Sequence, residues 1–413
     1  MGKKLIFLTM SREPANINSR GIYPDLLRKF RDEGFDVYIV MPHERSLGKP
    51  TELRVENGVH ILCVKTLNLQ KTSTIEKGIG QILVESQYKS AIKKYLNDVK
   101  FDLILYSTPP ITFPKVIAYL KKQNPHAITY LLLKDIFPQN AVDLGMMAKT
   151  GVKGQLYKFF RNKEKKMYEL SDYIGCMSPA NVEFLLKHNP EVKADRVEVA
   201  PNSIDLNHDD NLDNDEGQLR AARKYIRKKY DLPLDKPVFI YGGNLGKPQG
   251  IPYLIECLDV NAKRNDCHFV IVGTGTELPK LKEWYNTKHP NNVTVMNGLP
   301  KEDYDLLVRS CDVGMIFLDY RFTIPNYPSR LLSYLESKIP VVCATDVNTD
   351  IGKIAEENGY GYWCESVKPE DFTALVDRML ASDRKAMGEK GYLFLCTNYT
   401  VERTYRAIVS HMA

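Results

Sequence analysis

The 413-residue chain has no apolar run near the ~18 residues that a membrane-spanning helix needs, so no spanning segment is expected. Its eight cysteines include no CxxC pair and none stands at metal-ligand spacing from a histidine, which excludes a zinc finger or ribbon. Scattered thiols of this kind are the pattern of a reduced, cytoplasmic protein. There is no short-period repeat and no low-complexity tract. Charge of one sign is also scarce: a net +6 permits an anionic substrate or surface but does not call for nucleic acid. The opening Leu5-Ile-Phe-Leu-Thr-Met10 is too short for a signal peptide and meets Ser11-Arg12-Glu13 at once, so it is read as a first strand.

What is present describes a folded protein: 43% hydrophobic and 26% charged residues. The length exceeds one ordinary core and suggests two domains of about 200 residues. Strand-like runs appear at residues 5–8, 37–41, 60–64, 103–106, 128–133, 173–176 and 197–199, with a helix over 24–31 between the first two. A second series follows at 238–241, 269–272, 293–296, 313–318, 341–344 and 360–363. Continuous apolar strands alternating with helices predict two α/β, doubly wound parallel sheets facing across a cleft. Between the series, the acidic stretch 208–217 and the basic helix 218–230 form an excursion. Asp213-Asn-Asp215 has the D-x-D spacing of metal-dependent transferases, but it follows no strand and is read as linker.

The most informative segment is Asn326-Tyr-Pro-Ser-Arg-Leu-Leu-Ser-Tyr-Leu-Glu336. Pro328 and Ser329 predict a helix start, Ser329 as cap, and such an end attracts anions. Arg330 adds a fixed charge suited to a diphosphate, and Glu336 stands two turns on as a hydroxyl acceptor. The alternative is a capped core helix with both charges solvated. Ligands of open parallel sheets gather beyond the carboxyl ends of the strands. There Gly242-Gly-Asn-Leu-Gly-Lys-Pro-Gln-Gly250 offers Gly243, Asn244 and Gly246 for close backbone approach and Lys247 for charge. Gly273 and Gly275 form a second tight turn. The first loop is neither a G-x-G-x-x-G fingerprint nor a Walker loop, and a ligand-free turn stays open as its reading. In the first half, Ser107-Thr-Pro-Pro110 and Lys134-Asp-Ile-Phe-Pro138 follow strands. Asp135 is placed to orient a hydroxyl or stabilise positive charge, or else to cap a helix; Lys134 could pair with a phosphate.

Together these residues, with Tyr334, Pro340, Ser178-Pro179 and Pro201-Asn202, resemble the retaining GT-B glycosyltransferases of family four, in the branch that builds capsular polysaccharide and O-antigen. The resemblance runs in motif order over nearly the whole chain. It implies an N-terminal acceptor-binding domain over 1–200, a C-terminal nucleotide-sugar-binding domain over 201–395, and a final helix, within 396–413, crossing back to the first domain. It further implies a nucleotide-sugar donor, a UDP-sugar first among them, and a polyprenyl-diphosphate-linked glycan acceptor. No cofactor and no metal are implied. Donor contacts fall on Gly243, Asn244, Gly246, Lys247, Gly273, Gly275, Ser329, Arg330 and Glu336; acceptor contacts on Asn18, Arg20, Thr108 and Pro109; catalytic roles on Lys134 and Asp135. Glu336 matches the second glutamate of the E-x7-E motif, whereas Pro328 stands at the first. Asn244 and Gln249 stand where many members have an arginine and a lysine that grip the diphosphate.

Leu156, Phe160 and Met167 make an apolar stripe among Lys153, Lys158, Arg161, Lys163, Lys165 and Lys166. This suggests either a peripheral membrane contact or an ordinary amphipathic helix. Two other readings compete with a transferase: a UDP-sugar epimerase of the same fold, and a non-catalytic GT-B partner of a transferase complex.

Overall fold

Short Val-, Ile- and Leu-rich runs become strands that bury both faces, as a parallel sheet covered by helices requires. The computed structural model describes residues 2–69, 74–206 and 216–412. The chain divides into two units, Met1–Asp205 with Thr400–Ala413, and Leu206–Tyr399. The acidic stretch with Asp213 and Asp215 lies outside the described residues.

Unit 1 holds β1 (Lys4–Leu8), β2 (Asp36–Glu44), β3 (Glu52–Glu56), β4 (Val59–Thr66), β5 (Leu103–Ser107), β6 (Ile128–Leu133), β7 (Tyr173–Cys176) and β8 (Val197–Val199). They form one sheet in the order β3-β4-β2-β1-β5-β6-β7-β8. All neighbours are parallel except β3, which pairs antiparallel with β4. Sequence patterning overlooked β3, because Glu-Leu-Arg-Val-Glu is charged and half-exposed rather than apolar. The signal that would have found it is Asn57-Gly58, whose φ values of 49° and 77° make the tight turn of a two-residue hairpin.

The carboxyl-terminal helix Val401–Val409 belongs to this unit. Thr400 caps it and also bridges Ile204, so the unit boundaries fall a few residues beyond 200 and 395. Tyr405 packs edge-on against Phe30 and Phe35, Thr404 bonds Ser203 at 2.9 Å, and Lys29 meets Glu402 at 2.6 Å.

Unit 2 holds β9 (Val238–Asn244), β10 (His268–Thr274), β11 (Val293–Met296), β12 (Val313–Phe317), β13 (Val341–Thr345) and β14 (Gly361–Glu365). Its parallel sheet runs β11-β10-β9-β12-β13-β14. The basic helix before it, Glu216–Lys229, is anchored by Arg227, which is fully buried. The Arg227 guanidinium donates to the carbonyls of Ser310, Pro233 and Lys236 and to the Asp312 carboxylate at 2.6 Å. Asp312 also accepts from Arg223 and from the Val238 amide that opens β9.

Removing one partner of such a pair leaves an uncompensated buried charge. Asp312→Ala should therefore cost roughly 3–5 kcal/mol of unfolding free energy, read from a urea denaturation curve. Arg223→Ala, which removes the more exposed of the two arginines, should cost well under half of that.

Candidate active site

At the carboxyl end of β9 two turns interlock through their backbones. The Leu245 amide donates to the Thr274 carbonyl at 2.9 Å, and the Glu277 amide donates to the Leu245 carbonyl at 2.9 Å. This approach needs glycine: a Cβ on Gly273 would lie 1.9 Å from the Gly243 oxygen, and one on Gly275 would lie 2.2 Å from the Leu245 oxygen. Gly273 is buried and Gly275 exposed. The close packing of the two loops alone requires glycine at 273. Gly246 is buried as well, while Gly243, at φ +120°, and Asn244 are exposed. Gln249 fastens the loop, its Oε1 accepting from the Asn244 amide at 3.0 Å and from the Gly246 N–H at 3.2 Å. Lys247 is exposed.

Arg330 comes to the same strand end. Its guanidinium carbon sits 4.1 Å from the centre of the Tyr241 ring, and the Gly243 position lies within van der Waals reach of Nη2. Nη1 is buried and has no hydrogen-bond partner among the described residues. Tyr334, one turn on, fixes the helix Arg330–Glu336 against the sheet: its hydroxyl accepts from the Gly242 N–H and donates to the Ile240 carbonyl, each at 3.2 Å. Tyr304 covers Gly242, where a Cβ would strike its hydroxyl at 1.9 Å.

Ser329 does not cap this helix. It is exposed, has helical dihedrals (φ −65°, ψ −15°), and its side chain makes no cap bond. The helix has seven residues, and Glu336 closes it, half-buried. The positive group here is therefore the Arg330 side chain, not a capped helix end.

In unit 1, Lys134 and Asp135 follow β6, half-buried. The Thr108 hydroxyl accepts from both their amides, at 2.9 and 3.2 Å, and Thr108 itself is 2% exposed. Thr108 thus orders the strand end; Pro109 beside it is exposed. The Lys134 ammonium donates to the Ala200 carbonyl at 2.9 Å, which fixes its position at the end of β6. Burial lowers its pKa to about 7. Both Asp135 carboxylate oxygens accept from the Asn140 amide, at 2.9 and 3.0 Å. Burial raises the Asp135 pKa to about 6, against the opposing pull of the Ile136 N–H and Asn140. Sequence reading missed Asn140, although its place five residues after Asp135, in the helix Gln139–Asp143, was available. Asn18 is exposed and Arg20 half-buried in the segment after β1, whose end neighbours that of β5.

The stripe on the helix Gly151–Leu170 divides. Phe160 and Met167 are buried in the unit, Phe160 edge-on to Phe137, while Leu156 and Phe159 are exposed. Four of the cations pair with carboxylates: Arg161 with Glu164, Lys163 with Glu85, Lys165 with Glu191 and Lys166 with Glu169. Lys158 is exposed; the Lys153 side chain lies outside the described residues.

Residues 222–394, nearly all of unit 2 from its first helix onward, match the family Glycosyl transferases group 1. The chain carries a group 1 glycosyl transferase domain on a GT-B fold. A protein named as a probable glycosyltransferase, WbjE of Pseudomonas aeruginosa, is 21% identical over 96% of this chain and 94% of its own length. WcaI of Escherichia coli K12, which carries the name of a colanic acid biosynthesis glycosyl transferase, is 28% identical over 44% of this chain and 41% of its own. Among solved structures, Anabaena Alr3699/HepE in complex with UDP and glucose superposes with a TM-score of 0.69 at 14% identity, covering 99% of each chain. Arg330, Glu336 and the interlocked turns lie within the matched residues, and Lys134 and Asp135 outside them.

The Asp135 carboxyl has a testable signature. Its folded-state pKa is raised, so the folded state holds the extra proton between the ordinary carboxylate value and about pH 6. Stability therefore falls as pH rises through that window and stays lower above it. Asp135→Asn should remove this dependence, on the order of 1–3 kcal/mol, in urea midpoints measured from pH 4 to 6.5. Lys134, near 7, titrates above that range.

Proposed function

We propose that the protein transfers a sugar, with retention of anomeric configuration, from a UDP-sugar to a lipid-linked glycan during assembly of a bacterial surface polysaccharide. The observation that carries the donor side is the Arg330 guanidinium: stacked on Tyr241, permanently charged, and with a buried Nη1 lacking a partner among the described residues beside the exposed Gly243. A diphosphate oxygen would satisfy that group, and the charge would stabilise the leaving nucleotide as it departs. Glu336, matching the motif's second glutamate, would accept from ribose hydroxyls. HepE holds UDP and glucose on the same fold, and the name of WcaI places that relative in colanic acid biosynthesis; both support the reading.

In the reaction we envisage, the bond from the anomeric carbon to the donor phosphate breaks and an acceptor oxygen bonds the same carbon on the same face. The acceptor proton passes to the departing phosphate oxygen. Asp135, held by Asn140, would orient the acceptor hydroxyl. Lys134 would position the β6 end through Ala200.

Purified protein with UDP-sugars and a membrane lipid extract should release UDP only when extract is present. Arg330→Ala and Glu336→Ala should each lower kcat/KM by about 10²–10³. Arg330→Lys should rescue only part of its loss, because an ammonium cannot stack as the planar fork does. UDP-sugar binding with no release for any acceptor would overturn the reading.

The lipid side of the reading rests on Leu156 and Phe159, exposed beside Lys158 on the helix Gly151–Leu170. Sedimentation with vesicles containing anionic lipid should be reduced at least about threefold in a Leu156→Asp, Phe159→Asp double variant, consistent with lost burial of two large apolar side chains. Donor binding should be unchanged.

A further inference from the structure

Three side chains with metal-binding chemistry converge at one end of the unit 1 sheet, well away along the strand order from Lys134 and Asp135. In the register, Glu52 on β3 stands directly across from Cys63 on β4, and Cys63 stands across from Met41 on β2. His43, two residues beyond Met41, shares its face because side chains alternate along a strand. One ligand atom from each of His43, Glu52 and Cys63 lies within 4.8 Å of the others. His43 is 6% exposed, Cys63 is fully buried, and Glu52 is half-buried. Tetrahedral zinc, with bonds of about 2.0–2.3 Å, holds its ligand atoms about 3.3–3.8 Å apart. Closing the set onto an ion therefore takes side-chain shifts of about an ångström.

The three groups have capacity to spare. His43 Nδ1 lies 3.4 Å from the Pro50 carbonyl, the outer contact that orients a ligating imidazole and leaves its other nitrogen available. Among the described residues the side chains of Cys63 and Glu52 make no hydrogen bond or ion pair. Arg54, further along β3, turns its guanidinium to the Ala15 carbonyl at 2.9 Å and to Glu56 at 3.1 Å. A divalent ion with one thiolate, one carboxylate and one neutral imidazole sums to zero charge, which suits a half-buried pocket.

We propose that His43, Glu52 and Cys63 bind a borderline divalent metal, zinc by ligand type, and that the ion fastens the edge hairpin β3–β4 to β2. Binding exchanges the Cys63 thiol proton for a sulfur–metal bond, and the proton leaves to solvent. Solvent or a further ligand completes the fourth position. The role is structural, since β1 and β5 stand between these strands and β6.

The full-length protein, stripped with a chelator, should be titrated with Co2+. One equivalent should bring a thiolate charge-transfer band in the near ultraviolet and tetrahedral bands in the visible, both displaced by Zn2+. Cys63→Ala should abolish the thiolate band, and Glu52→Gln and His43→Gln should each weaken binding at least about tenfold. Zn2+ should raise the melting temperature of the parent but not of Cys63→Ala. Glu52→Gln, at the half-buried position, keeps the test open should a core substitution fail to fold. A cobalt spectrum without a thiolate band, or affinity unchanged in Glu52→Gln and His43→Gln, would overturn the proposal.

Discussion

The interlock between Leu245 and the Gly273–Glu277 turn is the constraint on which the candidate donor site depends. Two amide–carbonyl bonds of 2.9 Å hold two loops against each other where a side chain on Gly273 or Gly275 would drive them apart. Because β9 and β10 are parallel neighbours, their carboxyl ends emerge together, and the lock turns two independent loops into one rigid rim. Tyr241 is the residue of β9 just before that rim, so the ring on which Arg330 stacks is placed by the same strand. Tyr334 completes the arrangement by tying the Arg330 helix to Gly242 and Ile240. The position of one guanidinium is thereby fixed by backbone packing before any ligand arrives, which limits the entropy that binding must remove.

The two units carry different kinds of charge for one physical reason. Burial disfavours ionised forms, and groups that can lose their charge respond to it. Asp135 rises to about 6 and Lys134 falls to about 7, so both are brought much closer to neutrality than their ordinary values allow. An arginine cannot respond in this way, and Arg330 stays cationic despite its buried Nη1. A permanent cation suits the stabilisation of a leaving phosphate. A carboxylate held by Asn140 suits accepting a hydrogen bond from a hydroxyl.

The sequence made most of the architecture visible because both sheets are buried on two faces, and double burial writes continuous apolar runs. It hid β3 because an antiparallel edge strand needs no such run. Ser329 was read as a cap from its residue type, but capping depends on dihedrals, and Ser329 is already helical. Gly273 looked like part of a ligand turn; its reason for being glycine is an oxygen on the neighbouring loop, which no local reading reveals. His43, Glu52 and Cys63 are separated by nine and eleven positions and meet only through the strand order β3-β4-β2. Metal spacing along a chain is informative in hairpins and knuckles, whereas here the register does the gathering.

The departures from the glycosyltransferase motifs then have a consistent physical reading. Asn244 and Gln249, where a diphosphate grip of arginine and lysine would be expected, bond each other and stiffen the loop. The cation of that loop is the exposed Lys247, which stands between two side chains already tied together. The pinned charge at this strand end is Arg330, stacked on an aromatic ring and carried by a helix that Tyr334 ties to the sheet. A cation on a pinned helix is preorganised, and preorganised charge is the kind that stabilises a transition state without reorganising during the reaction. Pro328 fits the same economy: it limits the backbone ahead of Ser329 and so helps fix where the Arg330 helix begins.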